Sequence, residues 1–208
     1  MEKEAERLLV MQARKNPEAF GRLFEEYHPH LLKYAAFRTG NVEIARDIVS
    51  ETFFKAFKNL WKFRFIGTTF SAWLYRVAGN TITDHFRTRT SELKYHAAAF
   101  EDRKSLDPCM GNGFEHELRE AQEELDRNRE YAAIKNALLG LPSCYQEVLV
   151  LRFFQGYKIA DIGEIIGKKQ GTTKSLVSRG VSMLRESLGA SVQRDKEEET
   201  EVEQYGRH

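Results

Sequence analysis

Apolar residues recur at three- and four-residue intervals over several stretches of the chain, the spacing that lines one face of an α-helix. No stretch alternates with the period of two that marks a half-buried strand. The first helical stretch opens at Asn16-Pro17-Glu18, which joins a capping amide, a proline at the first helical position and an early carboxylate. It predicts a helix from Pro17 to about Arg38, with Phe20, Leu23, Phe24, Tyr27, Leu31, Tyr34 and Ala35 on one face. Gly40-Asn41 ends that helix and caps the next. The second, Val42 to Trp61, has a stripe of Ala45, Ile48, Val49, Thr52, Phe53, Ala56, Phe57 and Leu60. After a break, KFRFIGTTF, residues 70–89 place Phe70, Trp73, Leu74, Val77, Ile82 and Phe86 along a third stripe. Three amphipathic helices with short connections predict a compact bundle.

From Ser91 to Glu130 the periodicity fails. LDPCMGNG gathers Pro, Gly and Asn between acidic flanks, which predicts a flexible linker with helix resuming near Glu115. Order returns at Tyr131 as four short helical stretches punctuated by Gly140, Pro142, Gly156, Gly167 and Gly171. The expected fold is all-α, in two small helical domains at residues 17–91 and 131–188. Residues 1–16 read as an N-terminal extension, 92–130 as the acidic linker and 189–208 as an acidic, disordered tail.

Charge sharpens this division. The net charge of +1 conceals blocks of +5 over residues 1–90, −5 over 91–130, +4 over 131–190 and −3 over 191–208. Two mildly basic modules separated by an acidic segment suit a nucleic-acid partner better than a uniform enzyme surface does. No apolar run approaches the roughly 18 residues that span a bilayer, and the N-terminus lacks a signal-peptide core. A cytoplasmic protein with no membrane insertion is expected. Cys109 and Cys144 lack any CxxC or HxxxC partner, so neither a disulfide framework nor a zinc site is suggested.

Tyr157 to Ile166 forms a short helix with Ile159, Ile162, Ile165 and Ile166 inward, followed by a break at Gly167 and a longer helix from Gln170 or Gly171. That spacing, with Lys, Ser, Thr and Arg opening the second helix, reads as a helix-turn-helix. Lys174, Ser175, Ser178 and Arg179 face DNA in this reading, while Leu176, Val177, Val181 and Leu184 anchor the helix. A helical hairpin with a solvated basic face is the plainer alternative.

The stretch LPSCYQEVLVLRFFQGYKIADIGEIIGKKQGTTKSLVSRGVSMLRESL resembles region 4 of the extracytoplasmic-function (ECF) sigma factors of bacterial RNA polymerase. ARDIVSETFFKAFKNL is similar to that family's region 2.2, and FSAWLYRVAGNTITDHFR to its regions 2.3 and 2.4. Together these cover Asn16 to Leu188. Two departures stand out: Leu176 replaces the family's arginine after the KS pair, and Gly79 stands where an arginine or lysine commonly precedes Asn80. Both remove positive charge beside the expected DNA.

On the second helix, Asp47, Ser50, Glu51, Phe54 and Lys58 fall away from the apolar stripe, and an aromatic among carboxylates marks a contact surface. The resemblance implies that Asp47, Ser50, Glu51 and Phe54 dock on the β′ clamp helices of core RNA polymerase. Lys62, Phe63, Arg64 and Phe65 mix cations with rings, which suits single-stranded DNA. The polar face of the third helix adds Arg76, Asn80, Thr83 and Arg87, and an amide such as Asn80 can read a base edge. By resemblance these residues meet the −10 element as the promoter opens, and the helix-turn-helix meets the −35 element. Promoter DNA, core polymerase and an anti-sigma factor are the implied partners; no cofactor is implied.

Two rival readings remain at this level. A conventional helix-turn-helix regulator would bind duplex DNA alone, without Phe54 or the 62–65 loop. A helical metal-dependent enzyme would use His28, His30 and His85, although no HExxH or His-carboxylate spacing supports a metal. No nucleophile-base order or phosphate-cradling loop is present, so no enzymatic activity is expected.

Overall fold

The computed structural model describes the backbone of residues 3–65, 67–96 and 129–205, with side chains described up to 88 and again over 133–189. The helix predicted to resume near Glu115 falls in 97–128, outside the described residues. Among those described, every regular element is helical: α1 (Lys3–Ala13), α2 (Pro17–Thr39), α3 (Val42–Asn59), α4 (Phe70–His96), α5 (Arg129–Leu139), α6 (Ser143–Leu149), α7 (Ile159–Ile166) and α8 (Gln170–Tyr205). A π-helical turn, Val150–Phe154, extends α6.

Local chemistry sets the boundaries. The Asn16 side chain accepts from the Glu18 N–H at 2.9 Å, and Asn41 from the Ile44 N–H at 3.0 Å, each satisfying a donor that the first helical turn leaves orphaned. Gly40 takes the left-handed conformation (φ 69°) and returns its N–H to the Ala36 carbonyl at 2.8 Å, so α2 stops and α3 starts within two residues. Pro29 removes one ladder bond from α2, yet the helix continues because Tyr27, Leu31 and Leu32 on either side are buried.

Helices α1–α4 form the N-terminal bundle. Its core gathers Leu23, Leu31, Ile48, Leu74 and Ile82, and each buried aliphatic side chain contributes about 1.5–3 kcal/mol over its exposed state. The residues expected to be a mere extension instead fold as α1, which packs on α2 and α4 through Leu9, Val10 and Ala13. Two stripes are narrower than the periodicity predicts: Phe24 is 39% exposed and Phe57 49%. Both rings lie on the outer edge of the α2–α3 pair, where Phe24 meets Phe53 at 4.6 Å and Phe57 meets Phe20 at 4.9 Å, and no further layer among the described residues covers them. Phe86, on the third stripe, is likewise exposed.

Helices α5–α8 form the C-terminal module. Val148, Leu149, Val150 and Leu151 are all buried, four in succession, more than one stripe of a regular helix can carry. They manage it because α6 and its π turn are central, packed against α8 on one side and α2 on the other. The backbone of α8 stays helical through Tyr205, across the segment predicted to be disordered, and Gly171 lies inside this helix instead of breaking it.

Candidate nucleic-acid interface

In the C-terminal module, α7 ends on Gly167, left-handed at φ 66°, whose N–H returns to the Gly163 carbonyl. Three residues later α8 begins. The tight turn is held from inside by Thr173, which is buried and donates its hydroxyl to the Lys169 carbonyl at 3.1 Å. Leu176, Val177, Val181 and Leu184 pack half-buried against the core. Their opposite face carries Lys174, Ser175, Ser178 and Arg179, all exposed and within the first three turns of the helix. This is a helix-turn-helix with the beginning of its second helix presented outward, the geometry that enters a major groove.

The N-terminal bundle presents a less uniform face. On α4, Arg76, Asn80, Thr83 and Arg87 are exposed as the pattern predicts, and Arg87 pairs with Asp84 at 3.0 Å. In the preceding loop Lys62 and Arg64 are exposed and Phe65 is half-buried. Phe63 is 4% exposed. Its ring sits edge-on to Phe65 at 4.8 Å and to Phe70 at 5.7 Å, and against Trp73 at 5.0 Å, so it roots the loop in the core and does not present a stacking surface. The aromatic that does face outward is Trp61, 64% exposed with the Lys62 ammonium 5.0 Å from its ring centroid. Sequence reasoning placed Trp61 at the end of a helix. Its adjacency to Lys62 and Arg64 was the available signal.

On α3, Asp47, Ser50, Glu51 and Phe54 form one exposed face, with Phe54 58% exposed and the Lys58 ammonium 4.5 Å from its ring. Glu51 pairs with Lys55 at 2.7 Å. The exposed Phe57 and Trp61 continue this strip, giving it an apolar centre between charges, the composition of a protein-contact patch.

The two modules touch. Arg76 donates from Nε to the Ile165 carbonyl at 3.0 Å, and its Nη2 donates to the Glu164 carbonyl, so its guanidinium caps the C-terminal end of α7. Arg38 is buried, donating to the Tyr34 hydroxyl at 2.9 Å and the Ser143 hydroxyl at 2.8 Å, with Glu147 at 3.9 Å. Tyr75 donates to Gln155 at 3.0 Å and packs edge-on to Tyr157 at 5.2 Å. Burial raises the pKa of Tyr27, Tyr34, Tyr75 and Tyr157, which keeps these phenols protonated donors at neutral pH. Of the histidines, His28 lies against Phe24 and Phe53, and burial lowers its pKa. Among the described residues no three His, Cys, Asp or Glu side chains gather as a metal site, and no helix is long and apolar enough to cross a membrane.

Comparison with known proteins matches each module separately. Residues 23–92 match the sigma-70 region 2 model and residues 131–184 a sigma-70 region 4 model. The ECF RNA polymerase sigma factor SigW of Bacillus subtilis is 30% identical over 182 residues, 86% of this chain and 94% of that protein. The ECF sigma factor BldN of Streptomyces coelicolor is 30% identical over 171 residues, 82% of this chain but only 61% of its own length. Among solved structures, CnrH in complex with the cytosolic domain of CnrY superposes with a TM-score of 0.61 at 24% identity, over 89% of this chain and 98% of that one. The sigma factor RpoE of Bartonella quintana, in complex with the anti-sigma factor NepR, gives 0.60 at 24% identity, over 82% and 96%. These two share the all-α fold.

Proposed function

The chain belongs to the ECF group of RNA polymerase sigma factors, and on that premise we propose how its surfaces divide the work of starting transcription at selected promoters. Residues 17–91 engage the core enzyme and the −10 element, and residues 131–188 engage the −35 element. The observation that carries this reading is the pair of region matches, in order, on two folded modules that each expose a polar, cation-bearing helix face. Lys174, Ser175, Ser178 and Arg179 meet the −35 duplex in the major groove, where guanidinium and hydroxyl groups can address base edges and phosphates. Lys62, Arg64, Phe65 and the face of α4 carrying Arg76, Asn80, Thr83 and Arg87 meet the −10 element. Trp61 supplies the exposed ring on which an unpaired base can stack. Phe63 serves by holding the loop.

Asp47, Ser50, Glu51 and Phe54 dock on the β′ clamp helices of core polymerase, the carboxylates providing complementarity to a basic partner and Phe54 the desolvated anchor. CnrH was solved with the cytosolic domain of CnrY and RpoE with the anti-sigma factor NepR, and an anti-sigma factor is the regulatory partner proposed here. The chemistry of such a subunit is binding and discrimination, with bond formation left to the polymerase, and its place of action is the cytoplasm. A regulator using α8 alone would leave the Phe54–Trp61 strip without a role. The test is transcription by purified core enzyme on a genomic library, with and without the protein, where promoter-specific starts are expected. Asp47→Lys with Glu51→Lys should weaken core binding by tenfold or more, given about 1 kcal/mol or more for each reversed contact, with unchanged helical content. Unchanged affinity in a pull-down would remove this face from the assignment.

A further inference from the structure

Helix α1 grips the segment leading into α4 at three points. The Glu6 carboxylate is 4% exposed and accepts from the N–H groups of Ser71 at 2.8 Å and Phe70 at 3.2 Å, and from the Tyr27 hydroxyl at 2.6 Å. Thr69 accepts from the Ala72 N–H at 3.2 Å, so the first three orphan donors of α4 are satisfied, two of them by a residue far upstream. The Arg14 guanidinium donates to the Phe63 carbonyl, and the Arg7 guanidinium lies 5.9 Å from the Phe65 ring centroid. Burying a carboxylate is costly unless its oxygens are bonded, and here the positive end of the α4 dipole adds to those bonds.

We propose that Glu6, assisted by Arg14, is a positioning residue for promoter opening. It fixes the first turn of α4, with Phe63 and Phe65 before it, in the arrangement that presents Lys62, Arg64 and Asn80 together to unpaired bases. Removing the carboxylate frees the helix start while Phe63, Phe70 and Leu74 remain buried, so the bundle survives but its single-strand surface loosens. The inference rests on reading α4 as the −10 helix.

The experiment compares wild type, Glu6→Ala, Glu6→Gln and Arg14→Ala in complex with core polymerase, scoring permanganate reactivity of promoter thymines and, separately, affinity for core enzyme. Glu6→Ala should lower the open fraction about 3- to 10-fold, the scale of a lost helix cap, with core affinity unchanged. Glu6→Gln keeps one acceptor oxygen and should recover part of the loss. Arg14 is exposed, so Arg14→Ala tests the same grip with little threat to the core, and a smaller loss of opening is expected. Normal opening by Glu6→Gln and Arg14→Ala, or a parallel loss of core affinity in all variants, overturns the proposal. A wild-type protein that fails to open promoters sinks the sigma-factor reading instead.

Discussion

The two surfaces proposed to face DNA differ in how complete they are before any partner arrives. On α8 the four outward side chains Lys174, Ser175, Ser178 and Arg179 are all exposed, and the anchoring face beneath them is packed. On the N-terminal bundle the corresponding surface is composite: Arg76 is engaged with the end of α7, Phe63 is inside the core, and the loop is pinned from below by α1. A duplex offers a rigid groove of fixed width, so one rigid helix suffices to meet it. Unpaired bases arrive one at a time on a flexible backbone, and their receptor combines a loop, a helix face and an exposed ring that must be held in register. The pre-formed surface can be read from one helix, whereas the composite one depends on residues such as Phe63 and Glu6 that are themselves buried.

The contrast breaks most sharply at Phe63. Phe63→Ala should destabilise the bundle by about 3–5 kcal/mol, as truncation of a buried aromatic does, and a thermal melt measures it. A variant with unaltered thermal stability would return Phe63 to the surface and make the loop a simple stacking platform. Next, Trp61→Ala and Asn80→Ala should each impair opening by about 1–3 kcal/mol per lost stacked or base-edge contact, and Asn80→Ala should leave recruitment to core enzyme intact. Permanganate footprints equal to wild type would remove both from the −10 surface.

At the C-terminal module, Arg179→Ala should cost about 1–3 kcal/mol on the preferred promoter and relax preference at one position of the −35 element, readable by selection from a randomised library. Retained preference at every position would show that α8 contributes no direct readout through this side chain. The smallest effect belongs to Lys174→Ala, which should weaken all sequences alike and reduce the salt slope of binding by roughly one unit. A sequence-dependent loss at Lys174 would make it a base contact and shift the division between positioning and reading along α8.

Local pattern carried the architecture a long way. Asn16-Pro17, Gly40-Asn41 and Gly167 mark element boundaries because capping and left-handed turns involve atoms within a few residues of one another. The helix-turn-helix was legible for the same reason, since Ile162, Ile165, Leu176 and Val181 declare their inward faces by spacing alone. Spacing does not say whether anything covers a face. Phe24 and Phe57 lie on predicted stripes yet stay half open because, among the described residues, no helix packs over that edge of the bundle, and Phe63, in a loop with no periodicity, is enclosed by Phe70 and Trp73. Glu6 on Ser71, Arg76 on Ile165 and Glu147 over Gly79 join residues about 65 or more positions apart. Hydrogen bonds and close contacts of that kind exist only once separate helices have been brought together, because burial and partner choice are properties of the packed assembly and leave no periodic trace along the chain.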